Sequence, residues 1–166
     1  KKFIVVGGGI GGLAAAVALS QQGVHVTVLE QATELGEIGA GVQLGPNAFA
    51  ALDALGVGEN ARKRAVFTER LIMMDAVDGS EVGSFPVGQA FRDRFQNPYA
   101  VIHRADIHTS MLEATQGSDL IHVETSTKVV SVSQDDQGVT AVDQNGRIFK
   151  ADALVAADGV RSVIRE

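Results

Sequence analysis

The chain has 166 residues, 45% hydrophobic and 20% charged, with a formal net charge of −6 and no cysteine. That composition suits one globular domain with its own core, and it excludes disulfide frameworks, thiolate catalysis and cysteine-based zinc sites. The acidic balance argues against a nucleic-acid surface, which needs clustered Lys and Arg.

The densest basic run, Arg62, Lys63 and Arg64, reads as a solvated helix end. The longest apolar run, residues 13–19, falls far short of the roughly 20 residues needed to cross a bilayer. Lys1 and Lys2 lead straight into a strand, and no signal peptide is expected ahead of it. A soluble, cytoplasmic protein without a membrane span is therefore expected.

Residues 3–6 form a short apolar run that ends at glycines, as a buried parallel strand does. Residues 11–22 follow as a helix, with Leu13, Ala16, Val17 and Ser20 on one face and Gly23 as its stop. Residues 24–29 are a second strand, rich in β-branched side chains. Residues 46–55 read as another helix, with Ala48, Leu52 and Leu55 aligned and Gly56 closing it.

The character of the sequence then changes. Residues 70–77 and 80–87 look like two strands joined at Asp78-Gly79, a pair suited to a hairpin turn. The polar and aromatic stretch 88–98 reads as a loop. Residues 99–103 resume as a strand, and a helix over 105–116 carries Ile107, Met111 and Ala114 inward. Strands are predicted at 121–124, 128–133, 138–143 and 147–150, the last three forming an antiparallel meander with Asn145-Gly146 at one turn. Residues 153–157 are an unbroken apolar strand ending at Asp158-Gly159, and a helix is predicted from Arg161. A lone helical turn cannot bury a face, so the sequence is expected to be the front part of a longer protein.

Gly7, Gly9 and Gly12 satisfy the pattern G-x-G-x-x-G. With 19 glycines in the chain such a string could arise by chance, so its context decides. A strand precedes it, a helix follows, and Glu30 ends the next strand 18 residues beyond Gly12. Gly7 permits the tight turn, Gly9 removes a Cβ that would collide with a diphosphate, and Gly12 lets the helix lie close to the sheet. The helix N-terminus offers N–H groups and a positive dipole to phosphates. Glu30 can accept hydrogen bonds from both hydroxyls of an unphosphorylated ribose. A dinucleotide site is the expectation, with Gly11 in the same loop and Gln31 beside Glu30 as further contacts.

The fingerprint alone does not separate FAD from NAD. A nicotinamide dehydrogenase usually continues with more βα units, whereas here a hairpin, a helix and a meander interrupt the parallel sheet. Asp158 stands at the carboxyl end of a returning parallel strand, where open α/β sheets bind ligands. Both features favour FAD.

Four stretches together resemble the class A flavoprotein aromatic hydroxylases, the single-component FAD monooxygenases of the p-hydroxybenzoate hydroxylase fold. They are GGGIGGLAAAVAL at 7–19 with Glu30, EIGAGVQLGPNA at 37–48, IHRADIH at 102–108 and DALVAADGVRSVIR at 152–165. The resemblance covers essentially the whole chain, and within the family the runs 39–47 and 91–108 look most like the 3-hydroxybenzoate 6-hydroxylases, with salicylate hydroxylases next.

The resemblance implies an α/β fold: a Rossmann-like FAD-binding βαβ domain with a parallel sheet and an antiparallel β-meander, plus the first strands of a substrate domain. The FAD-binding domain would comprise 1–66 and 99–166, the substrate domain would begin with 67–98, and the rest would follow residue 166. It also implies that Arg104 reaches the FAD diphosphate region and that Asp158 is the acid of the family's Asp-Gly motif. Gly39 to Gln43 would be the loop bordering the flavin ring, and the backbone of Val129 would contact adenine. Read without the family, Arg104 is a surface arginine at a helix start, Asp158 an N-cap, and 39–43 a plain glycine loop.

The implied reaction uses NADH or NADPH, with NADH the expected donor, to reduce FAD, after which O2 hydroxylates a phenolic or benzoate ring. For the nearest branch, 3-hydroxybenzoate becomes 2,5-dihydroxybenzoate (gentisate). The implied partners are a small aromatic acid, O2 and, for the full-length protein, a second copy in a homodimer. The usual proton-handling groups lie beyond residue 166, so no catalytic acid or base is assigned and the isolated stretch is expected to be inactive. A different FAD monooxygenase, such as a salicylate hydroxylase or an epoxidase, stays open. So does a non-enzymatic NAD-binding module, although the 152–165 and 39–47 runs would then lack a purpose.

The four histidines, His25, His103, His108 and His122, are scattered without helical metal-ligand spacing and read as structural. Glu34 and Glu37 read as a solvated acidic stretch. No metal site is expected. Phe91, Phe95 and Tyr99 read as packing residues.

Overall fold

A computed structural model describes residues 1–36 and 39–165. Glu37 and Ile38, which open the 37–48 run, lie outside the described residues, as does Glu166. In chain order the elements are β1 (Lys2–Val6), α1 (Ile10–Gln21), β2 (His25–Leu29), β3 (Gly41–Leu44), α2 (Pro46–Ala54) and α3 (Gly58–Arg64). Then come β4 (Val66–Phe67), β5 (Arg70–Met74), β6 (Glu81–Pro86), α4 (Gln89–Phe95), β7 (Ala100–His103) and α5 (Arg104–Gln116). The chain continues through β8 (Ile121–Glu124), β9 (Val129–Asp135), β10 (Gly138–Asp143), β11 (Ile148–Ala151) and β12 (Ala153–Ala156). These elements form two compact units, Lys1–Ile38 with Ile107–Glu166, and Gly39–Asp106.

The first unit is built on a parallel sheet in the order β12-β1-β2-β8. β1 pairs on both edges, which is why its last three residues are all buried and why the run is apolar rather than alternating. α1 buries Gly12, Leu13, Ala16 and Val17, close to the face expected from its spacing. β9, β10 and β11 form the antiparallel meander, in the order β11-β10-β9. Val129 and Ala141 from the meander share one core with Ile4, Val6 and Leu29 of the parallel sheet. An ion pair with one buried partner ties the meander together: the half-exposed Arg147 guanidinium donates to the inaccessible Asp143 carboxylate at 2.7 Å and to Thr127 Oγ1 at 2.7 Å, and also bonds Glu124. Burial pulls the Asp143 carboxyl up, but Arg147 and the N–H groups of Arg147 and Asn145 outweigh it and hold it below the usual carboxylate range.

The second unit holds a small antiparallel sheet, β3-β7-β4, and the β5–β6 hairpin. α2 starts with Pro46, whose fixed φ suits a first helical residue, and buries Phe49 and Leu52. Arg62 of α3 lies over the Phe49 ring at 4.9 Å and binds Asp53 and Asn97, fixing the corner between α2 and α3. The hairpin forms, but its strands are shorter than expected and the connection is wider than a two-residue turn. Met74 pairs with Glu81, and residues 75–80 make the turn, closed by Asp75 N–H to Ser80 O and Gly79 N–H to Asp75 O, with Gly79 at φ +75.

Four further expectations differ from what is observed. Residues 88–98 are not all loop, because α4 spans Gln89–Phe95; the Gln89–Asp93 hydrogen bond (2.7 Å) and the Phe91–Phe95 ring pair (4.6 Å) are both i,i+4 contacts that favour a helix. Residues 58–64 form a whole helix, with Glu59 and Lys63 paired at 2.9 Å, where only a basic helix end is legible. The run expected as a loop at 39–43 is a strand from Gly41 onward, zipped antiparallel to β7 with Val42 opposite Ile102. No helix starts at Arg161: residues 160–161 make a turn closed by Ser162 N–H to Gly159 O, since one such bond does not overcome helix nucleation.

Candidate functional site

Register sets up the site in the first unit. Val6 lies opposite Leu29 on one side and Ala156 on the other, and Leu29 lies opposite Glu124. In a parallel sheet the residues that follow paired positions emerge together, so Gly7, Glu30 and the 157–158 segment leave the same carboxyl edge. From β1 the chain builds outward through β2 to β8 and then returns to place β12 on the other side of β1. The edge at β1 and β12 is thus a switch point of the kind where open α/β sheets bind ligands.

The glycine loop is shaped by close backbone approach. Gly7 has φ +107, and a Cβ there would run into the Ala157 carbonyl. A Cβ on Gly12 would run into the Gly7 carbonyl, with Ala157 Cβ 3.4 Å away, so the helix lies against the sheet only because residue 12 is glycine. Gly9 is the extended N-cap of α1 (φ −73, ψ 178) and supplies no side-chain cap. A Cβ at Gly11 would meet nothing within 4 Å. The first turn of α1 carries no acidic residue, so its N–H groups and positive end have no compensating anion on the helix itself. Such an end is suited to a diphosphate.

Glu30 sits beside this loop. Its Oε2 accepts the Gly8 N–H at 2.5 Å and its Oε1 accepts the Ala32 N–H at 2.7 Å. Each carboxylate oxygen has a second lone-pair site, so acceptor capacity is left for ribose hydroxyls. Gln31 follows, exposed. The 125–128 turn is tied back to this segment: Ser126 N–H donates to Ala32 O and Thr127 N–H to Glu30 O, both at 2.8 Å. Ser126 adopts φ +54, uncommon for a residue with a Cβ, to make that turn. Val129 leaves the turn as the buried first residue of β9.

Asp158 Oδ2 accepts the Val163 N–H at 2.9 Å, while its buried Oδ1 has no hydrogen-bond partner among the described residues. Burial pushes this carboxyl up, yet hydrogen bonds from Ser162 and from backbone N–H groups hold it below the ordinary carboxylate range. It therefore stays ionised near neutral pH and retains acceptor capacity.

The remaining expected residues fall in the second unit. Gln43 lies on β3 opposite Val101, and its Oε1 accepts the Tyr99 hydroxyl at 2.6 Å. Arg104 opens α5 next to β7, and its N–H donates to Ala40 O at 3.2 Å. A Cβ at Gly39 would run into the His103 ring. Gly7, Gly9, Gly11, Gly12, Glu30, Gln31, Val129 and Asp158 thus belong to one unit, and Gln43 and Arg104 to the other.

One residue of the loop's surroundings was not singled out by sequence. His108 is 3% exposed, and its Nε2 lies 2.8 Å from the Gly8 carbonyl. Its signal was faint: it falls beside Ile107 on the apolar face of α5, where a histidine is unusual without a partner.

The family model described as an FAD binding domain matches residues 2–166. A 3-hydroxybenzoate 6-hydroxylase of Polaromonas naphthalenivorans (strain CJ2) is 60% identical over 163 residues, covering 98% of this chain and 41% of that protein. A 3-hydroxybenzoate 6-hydroxylase of Klebsiella oxytoca is 56% identical over 165 residues, covering 99% of this chain and 42% of the relative. Among solved structures, HpxO of Klebsiella pneumoniae, complexed with FAD and uric acid, superposes with a TM-score of 0.85 at 31% identity. That match covers 99% of this chain and 40% of HpxO. The chain spans about two fifths of the length of these curated relatives.

Proposed function

The chain belongs to the FAD-binding-domain family, matched over residues 2–166, and from that membership we propose that it is the FAD-binding part of an aromatic-acid monooxygenase acting on 3-hydroxybenzoate. The observation that carries the proposal is the 60% identity to a 3-hydroxybenzoate 6-hydroxylase along 163 residues. In this reading Gly7, Gly9, Gly11 and Gly12 let the α1 N-terminus approach the diphosphate, and Glu30 with Gln31 holds the ribose. Val129 borders the adenine, Asp158 offers its spare Oδ1 to the cofactor, Arg104 faces the diphosphate and Gln43 borders the flavin ring. The uncompensated helix end and the unpartnered Asp158 oxygen support the fit of FAD to these residues.

When bound, FAD supplies the redox chemistry: NADH or NADPH gives up a hydride, one oxygen atom of O2 enters the ring, and the other leaves as water. The residues of this chain bind and orient the cofactor. The FAD-binding domain comprises 1–66 and 99–166, and 67–98 begins a substrate domain whose remainder, with the proton-handling groups, follows residue 166. The whole protein works in the cytoplasm as a homodimer.

The test is the whole protein supplied with FAD, NADH and 3-hydroxybenzoate in air. Gentisate should form with one O2 and one NADH consumed per product. Turnover of salicylate but not of 3-hydroxybenzoate would overturn the substrate, and no oxygen uptake with any phenolic acid would overturn the reaction.

A further inference from the structure

Gly8 fills a variable position of G-x-G-x-x-G, yet it is held on three sides. Its N–H donates to Glu30 Oε2 at 2.5 Å, and its carbonyl accepts from His108 Nε2 at 2.8 Å. A Cβ there would meet Leu35 Cδ2 at 2.7 Å and Glu30 Cβ at 3.0 Å. The carbonyl has no proton to give, so Nε2 carries the hydrogen and His108 is the donor.

We infer that His108 is a positioning residue for the dinucleotide site, aiming the Gly9 N–H by anchoring the Gly8 carbonyl. The inference rests on the FAD-binding reading above. The peptide between Gly8 and Gly9 is a rigid trans plane in which C=O and N–H point in opposite directions. Holding the Gly8 oxygen against α5 therefore turns the Gly9 N–H away from α5, toward the mouth of the loop. Glycine on both sides of this peptide leaves little steric barrier to a flip. A flipped peptide would put a carbonyl oxygen, rather than an N–H, toward the diphosphate. The buried imidazole removes that alternative, and the bond spans 100 residues of sequence, so it ties the loop to a helix that local chain geometry cannot recruit.

The role differs from simple core packing in what it moves. In the whole protein, His108→Leu should weaken FAD binding about tenfold, equivalent to about 1.4 kcal/mol, as read by quenching of flavin fluorescence on titration into apoprotein. The thermal midpoint of the apoprotein should change less than that of the FAD-bound form. His108→Gln, which carries an N–H at a reach similar to Nε2, should restore most of the affinity. Should His108→Leu fail to fold, His108→Asn, whose amide is too short to reach Gly8, takes its place with the same expectation. Wild-type affinity in the variant that lacks the donor would overturn the inference, and so would an equal fall of both midpoints with FAD affinity unchanged. If the unaltered protein binds no FAD, the FAD reading falls and takes the inference with it; if it binds FAD and the variants match it, the inference alone falls.

Discussion

Replacing Gly12 by alanine puts a methyl group against the Gly7 carbonyl, with Gly7 C at 3.0 Å and Ala157 Cβ at 3.4 Å, whereas the same change at Gly11 meets nothing within 4 Å. The obstruction at position 12 is backbone and cannot rotate away, so the upper part of the ~1–3 kcal/mol range for overpacking applies. Alanine returns about 0.8–1 kcal/mol of helix propensity over glycine, leaving a net loss of roughly 2 kcal/mol for Gly12→Ala. At about 2–4 °C per kcal/mol for a chain of this size, the apoprotein midpoint should fall by roughly 4–8 °C. Gly11→Ala has the propensity gain without the clash, so its apoprotein should be as stable as the unaltered chain or slightly more so. If the open space beside Gly11 is where the diphosphate lies, that variant should nonetheless bind FAD at least ~10-fold more weakly, a loss of about 1.4 kcal/mol. The assay pairs thermal unfolding without FAD with a flavin-fluorescence titration. An unchanged midpoint for Gly12→Ala would refute the close-approach argument. Wild-type FAD affinity in Gly11→Ala would refute the placement of the diphosphate.

Other consequences are equally direct. Asp143 has a carboxyl held below the ordinary range by Arg147 and two N–H groups, despite the opposing effect of burial. Its contribution to stability is therefore fully present above the unfolded carboxyl pKa of about 3.9 and lost as pH falls through the lower folded value. Acid unfolding of the wild type should steepen below about pH 4, and Asp143→Asn should be less stable at neutral pH with a flatter acid limb; parallel limbs would contradict the assignment. Glu30→Ala removes the acceptor of the Gly8 and Ala32 N–H groups, and calorimetric titration should show FAD binding weakened more than binding of FMN, which lacks the adenosine ribose. Equal losses for the two flavins would remove Glu30 from the ribose.

Much of this was legible because it is local. The βαβ unit needs only an apolar run, a glycine loop, a 3.6-residue pattern and a second β-branched run, and all of these lie within the first thirty residues. That a hairpin and a meander exist was legible from Asp78-Gly79 and Asn145-Gly146, but the hairpin's turn is wider than that pair and runs over 75–80. α4 was hidden because its stability comes from a Gln–Asp bond and a Phe–Phe contact rather than an apolar face. β3 was hidden because its partner, β7, is more than fifty residues away, and strand pairing at that distance leaves no local period. The same holds for the site: the glycines and Glu30 form a spaced motif, but the clamp on Gly8 uses His108, and no spacing rule connects them.

The central claim is that residues 1–166 carry an FAD site, and the most direct test is to purify this chain, soak it with FAD or NAD, desalt it and record absorbance from 300 to 550 nm. Flavin bands that persist through desalting are the expected result, weakened in Gly11→Ala. Loss of all flavin absorbance with retention of NAD would contradict the claim and leave only a dinucleotide fold.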